Sequence, residues 1–258
     1  MSGRIDCERQ GGMARVVLRH PQRMNAMTRA MWQQLRAVFR ALQQERDLRL
    51  VLIAGEGGHF CAGGDIAEYA DFRFQTESLR DFHEREVWGA LSAMLDCDLP
   101  IVAQIEGNCM GAGLEIACCC DIRWAAADSH FGAPIARLGF PMAPREAELV
   151  ARVAGQTTVR EMLLAAEILS AETLLQRGFL HRLCDPSELN GQLRALCDRI
   201  CALAPGAARQ NKRTLRALAE EGPTALPGLI MQAYDYADSA EHREGVGAFM
   251  AKRSPRFS

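Results

Sequence analysis

The chain has 258 residues, 48% of them apolar and 24% charged, the balance of a globular protein large enough to bury a sizeable core. A formal net charge of −2 gives neither nucleic acid nor an anionic membrane an electrostatic hold, although a local cationic patch for a phosphorylated ligand remains compatible with it. The first ten residues include Arg4, Asp6, Glu8 and Arg9 and lack the apolar stretch of a signal peptide, and no run approaches the ~18 apolar residues of a membrane span.

In chain order, Val16-Val17-Leu18 reads as a buried strand that ends at His20-Pro21. Apolar residues then recur at three- and four-residue spacing (Met31, Leu35, Val38, Phe39, Leu42), which predicts an amphipathic helix over 28–44 with Thr28 as its N-cap. Leu48 to Ala54 is a second buried strand, followed by a glycine-rich loop through Gly64. A polar stretch dotted with aromatics leads to a helix over 78–95. Strands follow over 101–105 and 122–125, separated by the Gly111–Gly113 loop and a short helix over 114–119. Alternating strand, glycine loop and helix is the pattern of an α/β domain. After a last strand over 179–183 the sequence turns helical, over 188–203, 207–219 and 226–237, with breaks at Pro205 and Gly222-Pro223. This predicts a core over residues 1–195 and a helical C-terminal subdomain over 196–258. Three such helices form a thin layer that needs a partner surface.

The ten cysteines show neither a disulfide framework nor metal-ligand spacing, so reduced, buried thiols, a cytoplasmic location and no metal are expected. Two segments bear on chemistry. In Phe60-Cys61-Ala62-Gly63-Gly64-Asp65-Ile66, two glycines after a buried strand either present N–H groups to a ligand or make a plain tight turn. In Ile105 to Ala117, a strand runs through small residues into a helix, whose first N–H groups stabilise an oxygen anion. Glu115 sits near that mouth, as a general acid or base or as a residue that merely suits the helix dipole. Together the segments offer two backbone donors and a carboxylate, the equipment for holding an oxyanion while a proton moves.

The first of these segments resembles the first oxyanion-hole loop of the crotonase (enoyl-CoA hydratase/isomerase) superfamily. Gly107 to Cys119, with Cys120-Asp121-Ile122-Arg123 and Phe131-Gly132-Ala133-Pro134, is similar to its signature block. Pro21 to Met27 resembles its CoA-binding loop, and Phe249 to Arg253 its closing segment. The resemblance implies an α/β fold, a spiral of ββα units with a helical C-terminal subdomain that builds homotrimers or hexamers. It implies an acyl-CoA thioester as substrate and no separate cofactor. Gly64 and Ala112 would donate to the thioester oxygen, and Glu115 would be the first of two acid/base glutamates. Arg23, Ala26, Ala62, Asp65 and Ile66 would line the CoA path, with Phe249 and Lys252 near its adenine and phosphate.

The pattern breaks at the second glutamate, whose place is taken by Ile135. The expectation is therefore an enoyl-CoA hydratase or dehydratase working with Glu115 alone. A decarboxylase, an isomerase and a catalytically decayed acyl-CoA binder are the alternatives. An aliphatic Ile135 should also raise the Glu115 pKa by desolvation. Arg145, Glu146 and Glu148, 10 to 13 positions after Ile135, would supply a substitute acid only if their turn folds inward, and they read more simply as a solvated charged turn. His83, Glu84 and Glu86 sit on the helix where some members of the family place pocket residues, and read more simply as an exposed helix face.

Overall fold

A computed structural model of the chain describes residues 2–257. Its principal sheet has six strands. β1 (Arg4–Gln10) lies at one edge and pairs antiparallel with β2 (Met13–Arg19). Next comes the helix α1 (Arg29–Gln44), whose N-cap Thr28 accepts a hydrogen bond from Met31 N as expected, and then β3 (Leu50–Gly55). The helical segment that follows is one continuous run in three windings. It comprises α2 (Thr76–Asp81), a π-helical turn (Phe82–Val87) and α3 (Trp88–Leu95).

The next part of the chain repeats a strand–strand–helix unit. β4 (Ile101–Ile105) joins the principal sheet, β5 (Asn108–Met110) a second sheet, and α4 (Ala112–Cys118) closes the unit. β6 (Ile122–Ala126) and β7 (His130–Gly132) repeat the alternation. The helices α5 (Pro144–Ala154) and α6 (Gln156–Leu164), strand β8 (Ile168–Ser170), α7 (Ala171–Gln176) and β9 (Arg182–Cys184) complete it. The principal sheet runs β1-β2-β3-β4-β6-β9, all parallel after the first pair, and the smaller sheet runs β5-β7-β8. This is the spiral of ββα units that the resemblance implies.

Parallel strands covered on both faces read as near-continuous apolar runs, and their alternation divides the core in two. Val51, Ile53, Ile101, Ala103 and Ile105 face the large core, with α1, α3 and α4. Leu50, Leu52, Val102 and Trp124 face the other side. There they meet Leu189, Leu193, Leu196 and Cys197 of α8 (Leu189–Cys201), so this helix is part of the sheet's packing. The boundary expected between residues 195 and 196 falls inside it.

Beyond α8, α9 (Pro205–Glu221) buries none of its residues and is tied on by cations. Lys212 Nζ donates to Leu99 O at 2.8 Å and pairs with Asp121, and Arg216 pairs with Asp98 at 2.9 Å. α10 (Leu226–Gln232) and α11 (Ala240–Met250) follow. Large apolar side chains stand exposed across this region, among them Leu215, Ile230, Met231, Tyr234, Phe249 and Met250. The strand expected over 179–183 starts later, at Arg182. Phe179 and Leu180 are buried in the turn after α7, where apolar content reflects core packing and not sheet pairing. All ten cysteines are free thiols, and Cys7 is the exposed one.

Candidate active site

Three loops meet at one end of the parallel strands. The loop after β2 is held by Asn25, whose buried side chain accepts from His20 N at 2.8 Å and donates to Glu56 O and His59 O at 2.7 Å each. The glycine loop after β3 is stitched to it by Ala62 N to Met24 O at 2.9 Å, Met27 N to Gly63 O at 2.7 Å and Asp65 N to Met27 O at 2.8 Å. The same glycine loop is stitched to β5 by Cys61 N to Asn108 O at 2.9 Å and Met110 N to Cys61 O at 2.8 Å. Arg23, Ala26, Ala62, Asp65 and Ile66 are thereby gathered on one stretch of paired backbone, with Ala26 buried and Arg23 and Ile66 exposed. Asp65 caps the short 3-10 helix Ile66–Asp71, accepting from Ala67 N at 3.1 Å.

Small residues permit this close approach. Gly111, the N-cap of α4, has φ 47° and ψ −109°, a conformation open to glycine and strained for any L side chain. A Cβ on Gly113 would sit 2.6 Å from Cys61 O, so the two loops touch backbone to backbone. The N–H groups of Gly64 and Ala112, on these adjoining loops, have no acceptor among the described residues.

Glu115 lies in the first turn of α4 and is 9% exposed. Burial, reinforced by the Glu146 carboxylate, pushes its carboxyl up to about 8. Tyr69 and Cys61 from the glycine-loop side and Cys118 and Cys119 from α4 also feel its charge. The rise agrees with the desolvation expected from the sequence. Its second cause was not foreseen.

Glu146 is 2% exposed, in the first turn of α5, which packs on α4. Its Oε1 lies 3.0 Å from Nδ1 of His83, whose side chain is 21% exposed. Glu86 is buried as well, ion-paired with Arg29. The reading of these segments as a solvated turn and an exposed helix face is thus corrected at three positions. Glu84, Arg145 and Glu148 do stay outside, and their company disguises Glu146 in the sequence. Both His83 and Glu86 lie in the π-helical turn, across which Trp88 N donates to His83 O.

Aromatic contacts link the two halves of the site. A Cβ on Gly64 would fall against the Tyr69 hydroxyl. Tyr69 meets Phe72 at a centroid distance of 6.0 Å, Phe72 meets Phe82 at 4.6 Å, and Phe82 meets the His83 ring at 5.0 Å. Phe140, just past the 3-10 turn Ile135–Leu138, also contacts Tyr69, and Arg73 stacks between those two rings. Ile135 itself is half-buried and carries no protic group. Phe74 and Trp88 take no part in this wall: Phe74 is exposed, and Trp88 lies under Arg145. Phe249 and Lys252 are not brought to these loops within one chain. Phe249 is 84% exposed at the end of α11, and Lys252 follows it with φ 50°.

A family profile for enoyl-CoA hydratase/isomerase matches residues 8–258, and the chain belongs to that family. Among its relatives is a probable enoyl-CoA hydratase of Mycobacterium tuberculosis, 28% identical over 97% of this chain and 96% of that one. The short-chain-enoyl-CoA hydratase of Clostridium acetobutylicum is 25% identical over 95% and 94% of the two chains. In structure, an enoyl-CoA hydratase/carnithine racemase from Magnetospirillum magneticum superposes with a TM-score of 0.94 at 33% identity, covering 98% of this chain and 95% of the other. The crotonase fold is therefore shared over essentially the whole chain.

Proposed function

We propose that this protein binds an acyl-CoA thioester and adds water to the double bond of an α,β-unsaturated acyl group, or removes it. The observation that carries the reading is the pair of unpartnered N–H groups, Gly64 and Ala112, on loops in backbone contact, with the buried Glu115 one helical turn beyond. As water attacks the β-carbon, the π electrons move onto the thioester oxygen, and two donors aimed there stabilise the enolate. Each is worth on the order of 3 kcal/mol in barrier height. The enolate then collapses and takes a proton at the α-carbon. Glu115, which holds its proton up to about pH 8, is the group to deliver it. The pantetheine and nucleotide would follow the paired loops past Ala62, Ala26, Asp65, Ile66 and Arg23. Phe249 and Lys252, presented outward, would close over the CoA of a neighbouring subunit.

A thioester panel read by mass spectrometry tests the reaction. Water gain or loss supports a hydratase, loss of CO2 a decarboxylase, and binding without conversion a decayed site. In a hydratase, Glu115→Gln should lower turnover by about 10²-fold or more while leaving acyl-CoA affinity within a few-fold. A Glu115→Gln protein as active as wild type removes Glu115 from the chemistry.

A further inference from the structure

Addition of water needs two proton movements, one off the water and one onto the α-carbon, and Ile135 can serve neither. We propose that the second acid/base group is Glu146, held in place by His83 and presented from α5 in place of a group at position 135. This rests on the hydratase reading above.

Three independent features place the pair in the site. First, Glu146 is 2% exposed although it sits in a turn flanked by Arg145 and Glu148, so its carboxylate is turned away from water and toward α4. A buried carboxylate with no functional partner would be a costly arrangement. Second, His83 reaches it at 3.0 Å from a π-helical turn, a winding that nature uses sparingly and most often at functional sites. Where the carboxylate accepts in this contact Nδ1 is the donor, and Nε2 is then left for a proton exchanged with water. Third, the chain Gly64–Tyr69–Phe72–Phe82–His83–Glu146 runs from the glycine loop to α5 by successive contacts. Packing of α5 on α4 closes the circuit at Glu115. A ring of contacts joins the two oxyanion donors to both carboxyl groups, and Phe140 packs on it at Tyr69.

The two carboxyls differ in their surroundings. Glu115 has no side-chain hydrogen bond among the described residues, whereas Glu146 has the imidazole. Glu115, which lacks such a donor, is the carboxyl whose pKa burial and the neighbouring Glu146 charge push up, to about 8. The division of labour follows. Glu146 takes a proton as the water O–H bond breaks and the new C–O bond forms at the β-carbon. The π pair rests on the thioester oxygen, then returns to form the α C–H bond with the proton of Glu115. Transfer of the proton from Glu146 to Glu115 resets the site, and no further reactant is consumed. The charged and titratable groups facing the pair are His83 from the π-helical turn, Tyr69 from the 3-10 segment, Cys61 from the glycine loop, and Cys118 and Cys119 from α4.

The test is Glu146→Gln, which keeps the shape and can still accept from His83, so the fold is retained. Hydration of enoyl-CoA should fall at least 100-fold in kcat with KM within threefold. His83→Asn should lower kcat about tenfold and alter its pH profile, because the amide holds the carboxylate but cannot relay a proton. The pair is also read without turnover, by infrared titration of the protonated carboxyl band assigned with Glu115→Gln. Removing the neighbouring charge in Glu146→Gln should move the Glu115 titration downward. A Glu146→Gln enzyme within threefold of wild type, or an unmoved Glu115 titration, overturns the proposal. A wild type that hydrates no enoyl-CoA ends the hydratase reading alone, and the titration then decides whether the carboxyl pair stands.

Discussion

At the scale of single residues, Glu115 governs the pH behaviour. Its carboxyl sits at about 8 in the fold against an ordinary value of 4.5, so between those limits the folded chain binds a proton that the unfolded chain releases. Stability from this group is complete below about pH 4.5 and declines as pH rises toward 8. Glu115→Gln should therefore melt progressively higher than wild type as pH goes from 5 to 8.5. A difference of ~1 kcal/mol would read as ~2–4 °C. Calorimetry at the two pH values checks it, and a pH-independent difference would contradict the burial. Hydration should fall as pH rises through about 8, because the proton donor is then lost. Ile135 supplies a companion prediction. With Glu146 in the role proposed, Ile135→Glu adds a third carboxyl and should not raise hydration of crotonyl-CoA, whereas in the Glu146→Gln background it should restore at least tenfold. Glu115 was legible in the sequence because its strand, glycines and helix are consecutive. Glu146 was legible only as one of several candidates for a substitute acid, because its burial is decided by α4 and by His83, 63 positions away. Its charged neighbours point the other way.

At the scale of elements, the close approach of Gly113 to Cys61 is the contact on which convergence of the two proposed donors would depend. Gly113→Ala places a methyl 2.6 Å from Cys61 O and 2.9 Å from Cys61 Cβ, and backbone cannot yield as a side chain can. The loops should part, lowering kcat by about 10- to 100-fold and costing about 1–3 kcal/mol of stability. Gly64→Ala meets only the tip of Tyr69, which can rotate aside, and should cost less. Steady-state kinetics of both variants orders them, and equal losses would mean that loop contact is not the constraint. Elements with a clear apolar pattern were legible: α1 with its Thr28 cap, β3 as an unbroken apolar run, and β4 as one interrupted only by Gln104. β1 escaped because it is an edge strand with one buried side chain, Ile5, among charged neighbours. β5, β7 and β8 escaped because three residues carry no period. The π-helical turn escaped because nothing in local composition distinguishes it from an α-helix.

At the scale of the whole molecule, the helical end of the chain leaves large apolar side chains in water. α9 buries none of its residues, and Ile230, Met231, Tyr234, Phe249 and Met250 stand in water. Such surface is where the proposed trimer or hexamer contacts would fall. Sedimentation at micromolar concentration should give a mass near three or six times 28.4 kDa, and a monomer would exclude a neighbour's Phe249 and Lys252 from the CoA path. Removing the α11 segment should dissociate the oligomer and weaken acyl-CoA binding together, read by sedimentation and by titration with a saturated acyl-CoA.

The π-helical turn has an evolutionary meaning as well. One codon gained within an α-helix widens a single winding and leaves the flanks helical, so a new side chain enters an existing cavity in one genetic step. With Glu146 in the role proposed, such a step would have delivered His83 to the substrate space and released position 135 from selection for an acid. Descendants of that event would share a one-residue length difference between 76 and 95, an aliphatic residue at 135 and a glutamate at 146. Those three marks would be inherited together.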